Sequence, residues 1–216
     1  MSGADEEKRL AAEAAAELVE DGMTIGLGTG STVAHLLPAI ARRGLSGIRC
    51  VATSVATEQQ ARELGIPVEE FDELERLDIA IDGTDQVTPE GWLIKGGGGA
   101  HLREKIVAAA AERFVVIADS SKPVGALSAP VPLELLAFGL RSTLARLGEE
   151  VTLRDVPPSP DDGVIADYGG AIGDPAALAA RLEADPGVAA HGIFPPALVS
   201  EVLIARGGAV DRLGPL

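Results

Sequence analysis

The segment Gly26-Leu27-Gly28-Thr29-Gly30-Ser31-Thr32 combines three glycines with three hydroxyl side chains. Glycines let a backbone approach a ligand closely, and the N–H groups that open a following helix attract an anion. The stretch therefore reads either as a phosphate-holding loop or as a tight strand-to-helix turn, with Ser31 or Thr32 as N-cap. Two related motifs fit less well. A P-loop needs Gly-Lys-Ser/Thr, and no lysine stands here. A dinucleotide fingerprint needs G-x-G-x-x-G and an acid after the second strand, whereas the spacing here is G-x-G-x-G and the second strand runs into Thr53-Ser54-Val55.

Three further stretches add groups of other kinds. Asp82-Gly83-Thr84-Asp85 sets two carboxylates three residues apart on a turn, where they can converge on one small polyol or simply shape the turn. Lys95-Gly96-Gly97-Gly98-Gly99-Ala100 places a cation before four consecutive glycines. Such a run costs conformational entropy, so a loop whose N–H groups face substrate oxygens is the better reading than a flexible linker. Glu104 follows in the first turn of the next helix, either as a solvated salt bridge or, in a closed pocket, as a base with a raised pKa. Ala118-Asp119-Ser120-Ser121-Lys122-Pro123 supplies another cation, on a surface loop or at the same edge. Lysines number only four, Lys8, Lys95, Lys105 and Lys122. His35, His101 and His191 lack metal-ligand spacing; the first and last read as structural or surface residues, and His101 as a pocket neighbour.

The elements that must position these groups follow from hydropathy. Helices are expected over 5–20, 31–43, 55–64 and 100–111, and buried strands over 23–27, 48–52, 77–81, 92–94 and 114–118. Strands alternating with helices imply an α/β fold, a parallel sheet with helices on both faces. All four motifs then fall at the carboxyl edge of the strands, where open α/β sheets bind ligands. From residue 129 the pattern becomes strand 131–135, helix 138–147, strand 151–154, strand 164–168, helix 174–183 and strand 188–193. That order is the split β-α-β-β-α-β unit of a small ferredoxin-like α+β domain. A last strand, 199–205, returns to the first sheet. The expected division is 1–128 with 199–216, and 129–198.

Composition narrows the classes. The chain has 216 residues, 46% hydrophobic and 24% charged, and reads as globular. A net charge of −15 and 3% aromatics oppose nucleic-acid binding. No apolar run reaches the roughly 18 residues of a membrane span, and residues 1–10 show no signal-peptide core. The lone Cys50 sits on a buried strand as a core residue, and no Cys/His cluster suggests a metal, so the expectation is a cytoplasmic protein without a cofactor. A phosphate loop, paired carboxylates, a lysine with backbone donors and a candidate base suit metal-free proton transfer beside a carbonyl on a sugar phosphate.

These motifs, in this order, resemble the type A ribose-5-phosphate isomerase family. The likeness runs through Gly28 to Thr32, Asp82 to Asp85, Lys95 to Ala100, Arg103 to Lys105 and Ala118 to Lys122. Weaker echoes follow at Asp174-Pro175, Pro186 to Val188 and Gly192 to Phe194, so nearly the whole chain is covered. The resemblance implies a Rossmann-like domain with a small α+β domain and a homodimer or homotetramer. It also implies interconversion of ribose 5-phosphate and ribulose 5-phosphate, in the pentose phosphate pathway, through an enediolate without metal. By position it makes Glu104 the base, with Asp82, Asp85 and Lys95 assisting ring opening and stabilising oxygens. Substrate binding falls to Lys8, Thr29, Gly30, Ser31, Thr32, Asp82, Gly83, Thr84, Asp85, Lys95, Gly96, Gly97, Gly98 and Lys122. The chain departs from the family pattern at Thr84 (usually Ala), Gln86 (usually Glu), His101 and the segment 131–138, which lacks a second proline. These departures keep open a shifted sugar-phosphate substrate. Two other classes share related folds: a sugar-phosphate sensor, which would need a helix-turn-helix and a basic patch, and a CoA-transferase-like enzyme with a glutamate nucleophile.

Overall fold

An apolar run without alternation forms a strand where both faces of its sheet are covered. The computed structural model describes residues 3–214, Glu73 by its backbone alone; residues 1, 2, 215 and 216, which the expected division includes, lie outside them. In chain order the elements are α1 (Gly3–Ala16), β1 (Thr24–Leu27), α2 (Val33–Arg42), β2 (Arg49–Ala52), α3 (Val55–Glu63), β3 (Leu77–Gly83), β4 (Gln86–Val87), β5 (Leu93–Ile94), α4 (His101–Ala110), β6 (Ala111–Asp119), β7 (Val131–Leu135), α5 (Leu140–Leu147), β8 (Val151–Leu153), β9 (Val164–Tyr168), α6 (Pro175–Glu183), β10 (Val188–His191), β11 (Ile193–Phe194), β12 (Glu201–Arg206) and β13 (Ala209–Leu213). Two short 3-10 turns lie at Phe71–Glu73 and Pro196–Leu198.

The main sheet has the order β13-β12-β6-β3-β1-β2. All its pairings are parallel except β12 with β13. Alternate residues of the central strands feed two cores. Ile79, Ile81, Val115, Ile117 and Leu203 pack with the alanine face of α1 (Ala11, Ala12, Ala15, Ala16) and with Leu36, Leu37 and Ile40 of α2. Ala80, Phe114, Val116, Val202 and Ile204 face the other way, onto Val107 and Ala108 of α4 and onto Leu93 and Phe194. Pro38 sits inside α2, and Gln60 Nε2 donates to the carbonyl of Ala34, the one that residue 38 would otherwise serve, at 3.5 Å.

A four-stranded antiparallel sheet, β10-β7-β9-β8, carries α5 and α6 against a third core of Val131, Leu133, Leu135, Ala166, Tyr168, Leu178 and Leu182. Numbered within its own β-α-β-β-α-β segment the order is 4-1-3-2, which fits the ferredoxin-like expectation. The fold class is thus α/β, with a mostly parallel main sheet and a separate small antiparallel one. Among the described residues no helix is long and apolar enough to cross a membrane.

Four local expectations are corrected. The first helix ends at Ala16, short of residue 20. The expected strand 188–193 is two strands in different sheets: β10 pairs with β7, and β11 pairs with β5. Gly192 breaks it, donating its N–H to Pro132 O at 2.7 Å while its carbonyl accepts from Lys95 N at 2.9 Å. A third sheet, β11-β5-β4, and the edge strand β13 were not expected. The Gly207-Gly208 turn, with φ of 51° and 95°, was a legible hairpin signal for β13. Finally, Thr32 takes the N-cap position of α2 in a helical conformation and makes no capping bond with its hydroxyl.

Candidate active site

The strands β1 and β2 end level with one another and β3 runs two residues further, with Leu27 opposite both Ala52 and Ile81. The loop after β1 and the acidic turn after β3 are therefore side by side. Gly28 N–H donates to Ile81 O at 3.0 Å. A Cβ on Gly28 would lie 2.0 Å from the Asp82 carboxyl carbon, so only glycine allows this approach. Asp82 Oδ1 accepts from Thr29 N–H at 3.0 Å and from its neighbour Gly83 N–H at 2.7 Å.

The β4–β5 hairpin brings Lys95 to the same place. Asp85 N–H donates to Ile94 O at 2.8 Å across it. The Lys95 ammonium lies 2.9 Å from Asp82 Oδ2 and 3.2 Å from Glu104 Oε2, and donates to Gly83 O at 2.5 Å. The ammonium thus makes one hydrogen bond to a carbonyl and stands between two carboxylates. Lys95, Asp82 and Glu104 are each at most 5% exposed. The expectation of a solvated salt bridge at Glu104 is thus set aside.

This burial sets the charges. Burial raises the Glu104 carboxyl, the nearby Asp82 charge raises it further, and Lys95 offsets only part, leaving it at about 8. Burial also pushes Asp82 up, but it is opposed by Lys95 and by two backbone N–H groups. Glu104 has no such backbone donors, so it is the member of the pair that carries a proton most readily. Burial works to lower Lys95, but the two carboxylates outweigh it and hold the ammonium at about 12.

A cleft of about 130 Å³ opens above this triad. It is lined by Thr29, Gly30, Ser31, Thr32, Gly83, Thr84, Asp85, Lys95, Gly96, Gly97, Gly98, Glu104 and Lys122. Asp82 lies beneath it. Lys8, on α1, is not on its wall but donates to Ser31 Oγ at 3.0 Å. The sequence-derived set thus comes together around one cleft, with Lys8 joined through Ser31. Asp85 Oδ2 accepts from Gly97 N–H at 2.8 Å, which ties the acidic turn to the glycine loop.

The unusual residues have structural partners. Thr84 Oγ1 donates to Gln86 O and Ile94 O, at 2.8 and 2.9 Å. The Gln86 amide donates to Ser128 O at 2.8 Å and accepts from Ser128 N–H at 2.9 Å, an exchange that needs a carboxamide. His101 is fully buried, its ring lying where a Cβ on Gly96 would come within 2.6 Å. Burial holds it down at about 3, so it is a neutral packing residue behind the loop rather than a pocket group. His35 pairs with Asp5 at 3.1 Å, and His191 with Glu183 at 3.0 Å. Cys50 is buried in the first core. Among the described residues no group of three or more His, Cys, Asp or Glu side chains is placed to hold a metal.

Sequence reasoning missed the groups that hold the loops. Thr53 Oγ1 lies 2.7 Å from Thr29 Oγ1, and Thr57 Oγ1 donates to Gly28 O at 2.8 Å. Glu7 accepts from Ser120 N–H at 3.0 Å and from Gly207 N–H at 3.1 Å. Arg154 donates to Gly96 O and Gly97 O. No spacing rule links these residues to the motifs they serve.

Comparison with known proteins gives the same picture. The family model described as ribose 5-phosphate isomerase A (phosphoriboisomerase A) matches residues 49–208. The chain is 46% identical over 226 aligned residues to ribose-5-phosphate isomerase A of Caulobacter vibrioides (strain NA1000 / CB15N), covering 98% of this chain and 99% of the relative. The solved ribose 5 phosphate isomerase A of Neisseria gonorrhoeae superposes with a TM-score of 0.94 at 34% identity, over 100% of this chain and 99% of that one. A D-ribose-5-phosphate isomerase solved in complex with phospho-erythronic acid gives 0.90 at 33% identity, over 97% and 98%. The chain belongs to the ribose 5-phosphate isomerase A family.

Proposed function

We propose that this isomerase interconverts D-ribose 5-phosphate and D-ribulose 5-phosphate through an enediolate, with Glu104 as the base and without a metal. The observation that carries this reading is a buried carboxylate with a pKa raised to about 8, at the foot of a cleft whose walls are hydroxyls, glycine N–H groups and Lys122. In the open-chain aldose, Glu104 takes the proton from C2. The electron pair forms the C1–C2 double bond, and the charge moves to O1. Glu104 then returns the proton to C1 as a proton passes from O2 to O1, so the reaction balances with no external reactant. Asp85, on the cleft wall, serves ring opening by exchanging protons with the sugar hydroxyls, and Asp82 assists from beneath through Lys95.

Lys95 lines the cleft, donates to Gly83 O and stands beside the Asp82 and Glu104 carboxylates. Its part in this reading is to balance the charge of the two carboxylates and aim Glu104. Donors for the developing oxyanion come from the glycine loop. The hydroxyl loop and the start of α2, with Lys122 and Lys8, take the phosphate. The phospho-erythronic acid bound by a relative carries a carboxylate and a phosphate, the two charged ends an enediolate phosphate would present.

The same proposal includes the two-domain division, a homodimer or homotetramer, a cytoplasmic location and a place in the pentose phosphate pathway. The decisive experiment is ribulose 5-phosphate formation by purified protein in EDTA and in D2O. Expected are full activity in EDTA and entry of deuterium from solvent at the carbon that receives the proton. An inactive folded wild type, or activity lost to EDTA and restored by a divalent ion, would overturn the reading.

A further inference from the structure

We propose that Arg154, held by Asp167, is a positioning residue for the isomerisation: it fixes two peptide planes of the glycine loop so that the Gly97 N–H meets Asp85 and the Gly98 N–H is turned toward the cleft. The proposal rests on the reading of that cleft as the isomerase site.

Arg154 follows β8, in the four-stranded sheet, and continues its ladder by donating N–H to Ile165 O at 2.9 Å. Its guanidinium has two sides in use. Nε and Nη2 donate to the two carboxylate oxygens of Asp167 on β9, at 2.7 and 2.6 Å. Nη1 reaches across to the glycine loop and donates to Gly96 O at 3.1 Å and Gly97 O at 2.9 Å. Only about a fifth of either side chain in the pair is exposed, 20% for Arg154 and 23% for Asp167.

The consequence for the loop is geometric. In a planar trans peptide the carbonyl of one residue and the N–H of the next point in opposite directions. Pinning Gly96 O and Gly97 O against Arg154 turns the N–H groups of Gly97 and Gly98 the other way. The Gly97 N–H does point away, onto Asp85 Oδ2 at 2.8 Å. The Gly98 N–H is turned by the same constraint, and Gly98 lines the cleft. Four glycines in a row have no Cβ to bias their peptide planes, and Gly96 has φ of +100°. The Gly96–Gly97 plane is also held by Gly99 N–H on Gly96 O at 3.0 Å and by Asp85, so the clamp matters most for the Gly97–Gly98 plane, where Arg154 holds Gly97 O. Arginine suits the task because one planar fork binds a carboxylate and two carbonyls at once; a lysine ammonium does not.

Donors aimed at charge that develops during reaction act on kcat rather than on substrate affinity. Arg154→Ala is expected to lower kcat by about 10–100-fold, the usual effect of removing a supporting residue. KM for ribose 5-phosphate should stay within about threefold. The inhibition constant of phospho-erythronic acid should rise in step with the loss of kcat. Arg154→Lys should keep the thermal midpoint and still lose kcat, and Asp167→Asn should fall between. Kinetics of Arg154→Ala within twofold of wild type would overturn the proposal. So would restored kcat in Arg154→Lys, or a raised KM with kcat unchanged. Should Arg154→Ala fail to fold, Arg154→Lys decides alone. A folded wild type inactive on ribose 5-phosphate would overturn the functional reading itself, and this proposal with it.

Discussion

Replacing Glu104 with glutamine removes a base and almost nothing else. The amide has the shape of the carboxyl, and its oxygen can still accept from Lys95, now 3.2 Å from Glu104 Oε2. No cavity opens, and the buried ammonium keeps Asp82 at 2.9 Å. The loss is therefore expected in the chemical step, about two to four orders of magnitude in kcat for a general base. At about 1.36 kcal/mol per decade this is roughly 3–5 kcal/mol of barrier. Two pH signatures accompany it. A base with a pKa of about 8 must be ionised, so wild-type kcat/KM should climb from pH 6.5 to a plateau above 8, and Glu104→Gln should lose that limb. Stability should show the reverse trend. The folded pKa of about 8 lies above the ordinary 4.5, so between these values the folded chain binds more protons than the unfolded one. The Glu104 contribution is fully present below about pH 4.5 and is lost as pH rises through 8. Glu104→Gln stays neutral throughout, so its stability relative to wild type should grow with pH across that window. The assays are steady-state kinetics from pH 6.5 to 9.5 and urea unfolding at pH 5, 7 and 9. Turnover of Glu104→Gln within tenfold of wild type would remove Glu104 as the base. A wild-type limb centred below pH 6 would refute the argument from burial.

Two other perturbations probe the surroundings. Gly28→Ala would set a methyl 2.0 Å from the Asp82 carboxyl and displace it from Thr29 and Gly83. The expected cost is about 1–3 kcal/mol of stability with a marked loss of kcat. Gly98→Ala, with nothing within 4 Å of its Cβ, should unfold at the wild-type midpoint; equal midpoints for the two variants in a thermal melt would refute the close-approach reading. Lys95→Met leaves Asp82 buried without its cation beside a Glu104 that stays protonated, expected to cost about 3–5 kcal/mol at pH 8 and less at pH 5, since burial already favours the neutral form of Asp82. Urea unfolding at the two pH values reads this, and an equal loss at both would show that packing rather than charge is at stake.

Much of the architecture was legible because it is local. The all-apolar 114–118, and the glycine and proline punctuation elsewhere in the chain, report strands through local pattern alone. Three of the four motifs follow parallel strands of the main sheet, β1, β3 and β6, whose carboxyl ends share one edge, whereas the lysine–glycine motif, expected at that same sheet, follows β5 of the antiparallel third sheet. Where two neighbours compete, local pattern fails. Residues 188–193 read as one apolar strand, yet Gly192 gives its hydrogen bonds to Pro132 and Lys95, and the chain changes sheets there. The polar strand β13 exists only because β12 offers it an edge.

The sequence by itself determined which groups could act and on which edge they would stand, because residue type, turn chemistry and hydrophobic period are properties of neighbours along the chain. Tertiary structure decided what those groups are. Glu104 reads in the sequence as either a solvated salt bridge or a pocket base, and the fold makes it a group with a pKa of about 8, because burial removes it from water beside Asp82. The glycine loop reads in the sequence as a donor loop with nothing named to orient it, and in the fold Arg154, 57 residues beyond Gly97 along the chain, holds it. Desolvation and long-range hydrogen bonding depend on atoms that meet only when the chain has folded, so no reading of spacing could have supplied them.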